Sequence, residues 1–430
     1  MNIKYIHPAD QLVMFMHRIY EKGMTTTSGG NLSIMDDDGN IWITPAGVDK
    51  GTLTRQDIVC IKPDGTCVGV HRPSSEFPFH AAVYKMRPDL RAVLHAHPPA
   101  LVAFSIVRQL PDLDLLPSVR KVCTSVEMAT YAVPGSDKLG ENIGACFADG
   151  GDIVILENHG VCIGAPDMFT AFQRFETLEY TANLEILAKR IGNVRRLEAD
   201  AFRITETTSH TKMDDFIPNS HSSEELAARR DMITFIRRSY RQGLFTATHG
   251  TYSVRLSDGS FLITPFGMDR AYLEEKDLVR VKGGMKELNK TPSRAVILHQ
   301  KIYEAHPDIH AVLLAHPVNA MAFAVSDAKF DPRTIPESYI LLRDVKRLPF
   351  GKIDSNQEEA AAEFSEVNPA IMVENECVIV TGSTLLQAFD RLEVMEATAR
   401  SIINSGAIGN IVHITQGEVE DLKIAFNLKD

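Results

Sequence analysis

Four side chains in the first half of the chain have the types and spacing of a metal site. Glu76 follows two serines, His95 and His97 lie two apart in an apolar segment, and His159 is the centre of an Asn-His-Gly tripeptide. Zinc binds nitrogen and oxygen donors of these kinds at about 2.0–2.2 Å. Alternate residues of a strand project from one face, so the two close histidines can reach one ion. We therefore expect these four side chains to converge on one divalent cation.

Taken singly, each of these motifs has a commoner explanation. Two histidines two apart on a strand are more often incidental than metal-binding, and Asn-His-Gly is typical of a turn in which glycine permits positive φ. Glu76 alone would suit a helix start, where the macrodipole favours a carboxylate. His80, four residues later, could pair with it and is expected to be structural. The metal-site interpretation depends on the joint occurrence of the four residues.

The chain contains the same domain sequence twice. Residues 20–23 (Tyr-Glu-Lys-Gly) recur 220 positions later as residues 240–243 (Tyr-Arg-Gln-Gly), and Glu157-Asn158 recurs 217 positions later as Glu374-Asn375. A drift of only three positions over this distance indicates tandem duplication with small loop deletions.

A polar segment joins the two copies. Residues 205–220 lack apolar periodicity and contain Pro218, which is typical of a linker. Ser222 and Glu225 then have the spacing of a capping box that opens the first helix of the second copy. We predict two domains, at residues 1–208 and 221–430.

The two copies differ at the residues that could bind a metal ion. In order along the chain, the counterparts of Glu76, His95, His97 and His159 are Ala295, Leu314, His316 and Glu376. The second copy keeps a single imidazole from the set. We expect one cation per chain, in the first domain, and a second domain without catalytic activity.

Glycine and hydroxyl residues in three loops could bind a phosphate group. These loops contain residues 28–31 (Ser-Gly-Gly-Asn), residues 44–47 (Thr-Pro-Ala-Gly) and Ser74-Ser75. For Thr-Pro-x-Gly alone, ordinary turn chemistry is favoured, because the sequence persists at residues 264–267 of the second copy. The two serines directly precede Glu76, so they would hold an anionic group close to the proposed ion.

Apolar periodicity predicts mixed α and β structure in each copy. The predicted helices of the first copy are residues 9–22, 78–87, 99–105 and 167–190, and its predicted strands are residues 31–35, 40–44, 57–62, 92–96, 152–156 and 161–163. Glu76 then precedes a helix and His159 follows a strand. Ends of elements can bring such distant residues to one cleft.

Composition limits the possible partners and compartments. The 430 residues are 44% apolar and 23% charged, and the formal net charge of −11 gives no general attraction to nucleic acid or an anionic membrane. No stretch approaches the roughly 18 apolar residues that span a bilayer, and the N-terminus lacks a signal-peptide pattern. The six cysteines form no Cys-x-x-Cys pair. We therefore expect a cytoplasmic protein whose partners include neither nucleic acid nor membrane.

Five segments together resemble the class II aldolase/adducin family. They are Ser-Gly-Gly-Asn-Leu-Ser from residue 28, Ile-Thr-Pro-Ala-Gly from 43, Arg-Pro-Ser-Ser-Glu-Phe-Pro-Phe-His from 72, Val-Leu-His-Ala-His-Pro-Pro from 93 and Leu-Glu-Asn-His-Gly from 156. The resemblance covers residues 10–195, and a diverged second member covers about 225–410. Ser-Ser-Glu is similar to the L-fuculose-phosphate-type aldolases, whereas ribulose-phosphate 4-epimerases typically carry Asp there.

The resemblance implies both a fold and a site. The fold class is α/β, with two tandem three-layer αβα domains around mainly antiparallel sheets. One zinc ion would lie in the N-terminal domain on Glu76, His95, His97 and His159, with Glu76 also acting as the acid/base. The positions that match the family's phosphate-binding residues are Gly30, Asn31, Ala46, Gly47, Ser74 and Ser75.

The chain departs from this resemblance at the tyrosines. Aldolases of this type use one tyrosine from the segment before the closing glycine-rich turn and another from a neighbour's C-terminal tail. Residues 117–130 contain no tyrosine, and neither does the tail after residue 410. The group that serves the leaving aldehyde oxygen is therefore unassigned.

The activity implied by the resemblance is zinc-dependent retro-aldol cleavage of a sugar phosphate. Such cleavage leaves an enediolate, whose negative charge a divalent cation stabilises. A 4-epimerase or a keto-acid-phosphate decarboxylase on the same fold is an alternative, and a non-catalytic, adducin-like binding role is another. The family's enzymes are usually tetramers, so we expect a homodimer with pseudo-tetrameric arrangement or a higher homo-oligomer.

Overall fold

The chain folds into two compact units. The structure, a computed structural model, describes residues 3–202 and 212–429. One unit consists of the residues up to 113 together with 118–183, and the other of residues 114–117 together with those from 184 onward. The predicted domain boundary at residue 208 lies outside the described residues and stays a prediction. Within the described residues, no helix is both long and apolar enough to cross a membrane.

The first unit is built on an eight-stranded sheet. Its strands are β1 (Asn31–Met35), β2 (Ile41–Ile43), β3 (Val59–Ile61), β4 (Cys67–Val68), β5 (Ala92–Ala96), β6 (Glu127–Ala129), β7 (Ile153–Leu156) and β8 (Gly160–Ala165). The spatial order is β4-β3-β2-β1-β5-β8-β7-β6. All neighbours are antiparallel except β6 and β7. Strand β5 lies near the middle, and its register pairs His95 with Asn31 on one side and with Cys162 on the other.

Within residues 3–191, six α-helices accompany this sheet. They are α1 (Pro8–Glu21), α2 (Phe77–Met86), α3 (Pro99–Val107), α4 (Pro117–Val122), α5 (Asp137–Ala148) and α6 (Met168–Ile191). Helix α1 packs against β1 and β2, and its Phe15 lies 5.2 Å from the ring of Phe172 in α6. Helices α2 and α5 pack on each other through Phe79, Val83 and Ile143, in a buried cluster that also contains sheet residues.

The second unit repeats this architecture. Its strands are β9 (Asp215–Phe216), β10 (Thr251–Arg255), β11 (Phe261–Ile263), β12 (Val279–Lys282), β13 (Met285–Glu287), β14 (Ala311–Ala315), β15 (Val345–Leu348), β16 (Ala370–Val373) and β17 (Cys377–Gly382). Its helices are α7 (Ser223–Gln242), α8 (Val296–Ala305), α9 (Val318–Ala324), α10 (Pro336–Leu342), α11 (Lys352–Ser355), α12 (Gln357–Ala362), α13 (Leu385–Ser405) and α14 (Gln416–Phe426). The order β15-β16-β17-β14-β10-β11-β12-β13 matches that of the first sheet, with β9 added in parallel at β13.

The predicted fold class is confirmed: the chain is α/β, with two tandem αβα domains around mainly antiparallel sheets. Even the register is repeated, because Thr251 pairs with Leu314 where Asn31 pairs with His95. The capping box is only half present. The Ser222 hydroxyl accepts from the Glu225 N–H as predicted, but the Glu225 carboxylate accepts from Arg229 and Arg280.

Candidate metal centre

The four predicted metal-binding side chains lie together in the first unit. The Nε2 atoms of His95 and His97 are 3.1 Å apart. The Glu76 carboxylate lies 3.4 Å from His95 Nε2 through Oε2 and 3.7 Å from His159 Nε2 through Oε1. Donors at about 2.0–2.1 Å from a tetrahedral zinc ion are about 3.3 Å from one another. The spacing therefore fits a set of donors that share one cation.

Each donor is carried by the end of an element. His95 is the next-to-last residue of β5, and His97 directly follows that strand. Glu76 is the N-cap residue of α2, and His159 lies in the turn between β7 and β8. Strand β5 is buried along its whole length, so His95 and the residue pair that follows the strand start from the core of the sheet. The structure thus shows how residues distant in sequence meet.

The turn at His159 does not have the geometry expected from its sequence. Asn158, and not Gly160, has the left-handed backbone, with φ of 53°. Glycine is required at 160 for a different reason: a Cβ there would lie 2.5 Å from the Ala96 carbonyl oxygen and 2.7 Å from the His97 ring. The small residue therefore makes room for a histidine of the centre.

The glycines predicted to bind phosphate also border the histidines. A Cβ on Gly29 would lie 2.8 Å from His97 Nδ1, and one on Gly30 would lie 2.8 Å from the His95 carbonyl oxygen. Gly30 in addition has φ of 72°, which side chains disfavour. These two positions allow the loop to approach β5 closely, so their composition is explained by packing alone.

Burial keeps the three imidazoles neutral. It lowers the pKa of His95 well below the ordinary value, an effect reinforced by the neighbouring His97 and His159. It lowers the pKa of His97 to about 4, and it lowers the pKa of His159 although Glu76 acts in the opposite direction. A histidine must be neutral to offer a lone pair to a metal ion.

Hydrogen bonding directs one lone pair into the cluster. His95 Nδ1 donates to the Val161 carbonyl oxygen at 2.9 Å, which leaves Nε2 free to face the other donors. The buried Nδ1 of His159 has no hydrogen-bond partner in the described parts of the chain. The donor types, their neutrality and their spacing fit a divalent metal ion.

The second unit does not reproduce this arrangement. In the ranges 3–202 and 212–429, the group formed by His95, His97 and His159 is the one cluster of three or more potential donors. The surviving imidazole, His316, is half-buried, with its ring 5.2 Å from that of His249. As expected from the sequence, the donor set is intact in one copy only.

Asn31, predicted to bind phosphate, contacts the carboxylate. Its Nδ2 donates to Glu76 Oε2 at 2.7 Å, and its Oδ1 accepts from His80 Nε2. The suggested pairing of His80 with Glu76 is wrong, because both ring nitrogens of this buried histidine are engaged elsewhere: Nδ1 lies 2.7 Å from the Ser33 hydroxyl. His80 therefore reaches the carboxylate only through Asn31.

The remaining predicted phosphate-binding residues lie on two adjoining loops. The Ser74 N–H donates to the Thr44 carbonyl, and the Ala46 N–H donates to the Arg72 carbonyl. Because the Ala46 amide is already used, Gly47 offers the more available N–H of that pair. Ser74 is buried with its hydroxyl accepting from the Glu76 N–H at 3.3 Å, whereas Ser75 and Gly47 are exposed. The two loops therefore border the metal centre.

The sequence analysis did not identify two polar side chains next to these loops, Lys50 and Thr25. Lys50 is buried, and its Nζ donates to the Pro45 carbonyl at 2.7 Å while its N–H donates to Thr27. Burial lowers the pKa of its amine to about 8. The Oγ1 of Thr25 is buried without a partner in the described residues. Lys50 has a cationic counterpart, Arg270, in the second copy. This repeated positive charge is the sequence feature that could have identified Lys50.

A tyrosine lies directly after the stretch that lacks one. Tyr131 is 56% exposed, and its N–H donates to Glu157. Four residues later, a Cβ on Gly135 would lie 3.6 Å from the Ser75 carbonyl oxygen. The segment that carries this phenol therefore reaches the serine loop.

A comparison with known protein families settles the relationship. The family model described as Class II Aldolase and Adducin N-terminal domain matches residues 10–186 and, separately, residues 230–403. The chain belongs to the class II aldolase and adducin family. The two matches confirm the predicted tandem duplication, and the first of them contains the whole metal centre.

Relatives of this class II aldolase family member include two kinds of enzyme. It is 33% identical over 177 residues to the 3-oxo-tetronate 4-phosphate decarboxylase of Haemophilus influenzae, a match that covers 40% of this chain and 84% of that protein. It is 31% identical over 182 residues to the L-fuculose phosphate aldolase of Methanococcus maripaludis, covering 42% and 97%. A solved L-fuculose 1-phosphate aldolase matches with 31% identity and a TM-score of 0.41, covering 46% of this chain and 93% of that one.

Proposed function

We propose that the first domain is a zinc-dependent lyase that breaks the bond between the α and β carbons of the carbonyl group in a small sugar phosphate, by retro-aldol cleavage. The observation that carries this proposal is the convergence of one carboxylate and three neutral imidazoles: the ring donors lie within 4.8 Å of one another, and the carboxylate lies 3.4 and 3.7 Å from two of them. Family membership supports it, since the decarboxylase and the aldolase to which the chain is similar are both named for phosphorylated substrates.

His95, His97 and His159 would hold the ion, and Glu76 would be its fourth donor. Nitrogen-rich sites with a carboxylate suit zinc. When bound, the ion supplies positive charge where the carbonyl oxygen of the substrate becomes negative.

The chain's own residues would then handle protons and orientation. Retro-aldol cleavage removes a proton from the hydroxyl group of the departing carbon and adds one to the carbon left behind. Glu76 lies within the metal centre and is our proposed carrier of the second proton. The exposed phenol of Tyr131 is our proposed partner of the departing oxygen.

The phosphate group would be bound by Gly47, Ser74 and Ser75. The positive charge of Lys50 lies beneath the loop that carries Gly47, because its Nζ contacts Pro45. Binding energy from a phosphate remote from the reacting bond helps to orient the substrate. A neighbouring cation favours a doubly charged group over a neutral sugar.

Decarboxylation is the second candidate, and one finding favours it specifically. The Haemophilus influenzae relative, at 33% identity, is named as a 3-oxo-tetronate 4-phosphate decarboxylase. Loss of carbon dioxide from a 3-oxo acid also leaves negative charge, which the oxygen of the 3-oxo group carries. The same four donors would serve that chemistry.

Product analysis distinguishes these reactions. Full-length, zinc-loaded protein would be incubated with a panel of ketose 1-phosphates and of 3-oxo-sugar-acid phosphates, and the products identified by mass spectrometry. We expect two carbonyl fragments from one ketose phosphate, and none from the Glu76→Gln variant. Release of carbon dioxide would support the second candidate instead. Absence of turnover across the panel, or equal turnover by the variant, would contradict a lyase at this site.

A further inference from the structure

We propose that Asn31 and His80 are positioning residues for Glu76. The inference rests on the proposed function, because it assigns to these residues the task of holding one ligand of the metal centre. It concerns two side chains that do not belong to the donor set.

A continuous chain of hydrogen bonds ends on the carboxylate. The Tyr84 hydroxyl lies 2.8 Å from the Ser33 hydroxyl, which lies 2.7 Å from His80 Nδ1. His80 Nε2 contacts Asn31 Oδ1, and Asn31 Nδ2 lies 2.7 Å from Glu76 Oε2. All five side chains are buried, with His80 and Ser33 at 0% exposure.

The carboxylate fixes the direction of every bond in this chain. An ionised carboxylate can only accept, so the amide of Asn31 must donate from Nδ2 and accept at Oδ1. His80 must then carry its proton on Nε2. Burial lowers the pKa of this imidazole to about 3, so it has one ring proton and its Nδ1 must accept from Ser33. Each group therefore has a single role.

The second copy has the same network of tyrosine, serine and histidine, but it lacks the asparagine and the carboxylate. Tyr303, Ser253 and His299 are joined by contacts of 2.7 Å, as in the first copy. The counterpart of Asn31 is Thr251, whose hydroxyl lies 2.6 Å from that of Ser293. His299 Nε2 consequently has no hydrogen-bond partner in the described residues.

This internal comparison separates two roles. Tyrosine, serine and histidine persist where no metal-binding carboxylate exists, so they belong to the common core. The asparagine and the carboxylate occur together in the copy that has the donor set, and are replaced together in the other by Thr251 and Ala295. Asn31 therefore connects a structural network to Glu76, and His80 acts on the site only through that connection.

The expected consequence is a carboxylate held in one rotamer. With Oε2 occupied by Asn31 Nδ2, the carboxylate cannot rotate freely and Oε1 remains directed toward His159. Groups that orient metal ligands in this way typically contribute 10–100-fold to metal affinity.

Metal affinity of the full-length chain tests the proposal. The zinc dissociation constant would be measured by competition with a chromophoric chelator for wild type, Asn31→Thr and His80→Leu. The substitution at 31 introduces the residue found at 251. His299→Leu is the matched control, because it removes the same buried imidazole from the same network in the copy without donors. His80→Gln retains both an acceptor and a donor and is the conservative rescue.

We expect Asn31→Thr and His80→Leu to weaken zinc binding about 10–100-fold. His80→Gln should restore most of the affinity. His299→Leu should leave the zinc affinity unchanged, at a similar cost in melting temperature.

Wild-type affinity in Asn31→Thr, together with weaker inhibition by inorganic phosphate, would overturn the inference in favour of phosphate binding. Equal weakening by His299→Leu would also overturn it, as an effect of stability. If wild type binds no zinc, the proposed function itself fails; that result is distinct from zinc binding that the variants leave unchanged.

Discussion

The histidines of the candidate metal centre are arranged so that they stay unprotonated and can bind a cation through their ring nitrogens. Three imidazole rings lie with their centroids 4.8–5.0 Å apart, a separation at which two imidazolium ions repel each other. Because burial and this mutual repulsion depress their pKa values, the rings offer lone pairs at neutral pH. In the proposed centre, Glu76 would supply the negative charge that compensates a divalent cation.

Gly160 provides a test of the tight packing around the histidines. A methyl group there would lie 2.5 Å from the Ala96 carbonyl, so Gly160→Ala should lower the free energy of unfolding by about 1–3 kcal/mol. Gly144→Ala is the control, because its Cβ would first meet Met86 at 4.0 Å; in a helix it should be neutral or slightly stabilising. Chemical denaturation of both variants checks this. Equal stability of the two would contradict the packing argument.

Tyr131 provides a test of the proton transfer assigned to it. Tyr131→Phe keeps the ring and removes the phenol, so we expect kcat to fall by about 10²–10⁴-fold while zinc affinity stays at the wild-type value. Steady-state kinetics with the substrate identified by product analysis measures both KM and kcat. An unchanged kcat would assign the proton transfer to another group.

The sequence identifies the donors but not their supporting contacts. The four ligand types could be recognised because duplication provides a second copy that lacks them. The contact between Asn31 and Glu76 could not, because an asparagine beside two glycines also suits a phosphate loop. Lys50 was missed because a lone lysine is ordinarily a solvated residue, and only its burial in the structure makes it significant.

At the level of elements, the position of β5 depends on how helix α3 begins. Helix α3 starts two residues after His97, and its first free N–H groups, on Ala100 and Leu101, donate to the Glu179 carboxylate of α6 at 2.9 Å each. In the second copy Glu396 accepts from Asn319 and Ala320 in the same way. This contact belongs to the common fold, and it ties the strand that carries the histidines to the longest helix.

Glu179 should make stability depend on pH. Burial raises its pKa to about 7 from the ordinary value of 4.5, although its two N–H partners oppose the shift. A carboxyl group with a raised folded-state pKa binds more protons in the folded state, so its contribution is present below about pH 4.5 and is lost as pH rises to about 7. Wild type should therefore lose stability relative to Glu179→Gln across this window.

Denaturant unfolding of both proteins at several pH values, with a chelator present, measures this difference. A difference in unfolding free energy that is constant between pH 4.5 and 7 would show that Glu179 does not titrate there.

The predictability of an element follows its apolar pattern. Strand β5 was predicted with its exact bounds, since its five residues are buried without exception. Helix α5 was not predicted: it contains Gly140 and Gly144, which have low helix propensity. The structure shows why they are there, because a Cβ on Gly140 would already contact Phe79 at 3.8 Å. At this helix, close packing favours glycine whereas local helix propensity disfavours it, so the sequence pattern does not indicate a helix.

At the scale of the whole chain, two copies of one domain have diverged in chemistry while keeping their topology. Strand order, register and the buried network of tyrosine, serine and histidine are common to both. The second copy has lost three of the four donors and the asparagine next to them. The duplication was predictable from the sequence, whereas the order of the strands was not, because residue patterns do not record which strands pair.

We also predict that the chain forms a homodimer. The C-terminal segment exposes large apolar side chains, among them Ile408 at 88%, Val412 at 87% and Ile424 at 81%, and such residues are typical of contact surfaces. Multi-angle light scattering of the full-length protein should give twice the chain mass at micromolar concentration. A monodisperse monomer would contradict this prediction.

The most direct test of the central claim is the zinc content of the purified chain and of two matched variants. Inductively coupled plasma mass spectrometry should find one zinc ion per wild-type chain, one per His316→Ala chain and none in His97→Ala, because only the first copy has the other three donors. Two ions per chain, or an ion retained by His97→Ala with wild-type affinity, would contradict a single metal centre built from Glu76, His95, His97 and His159.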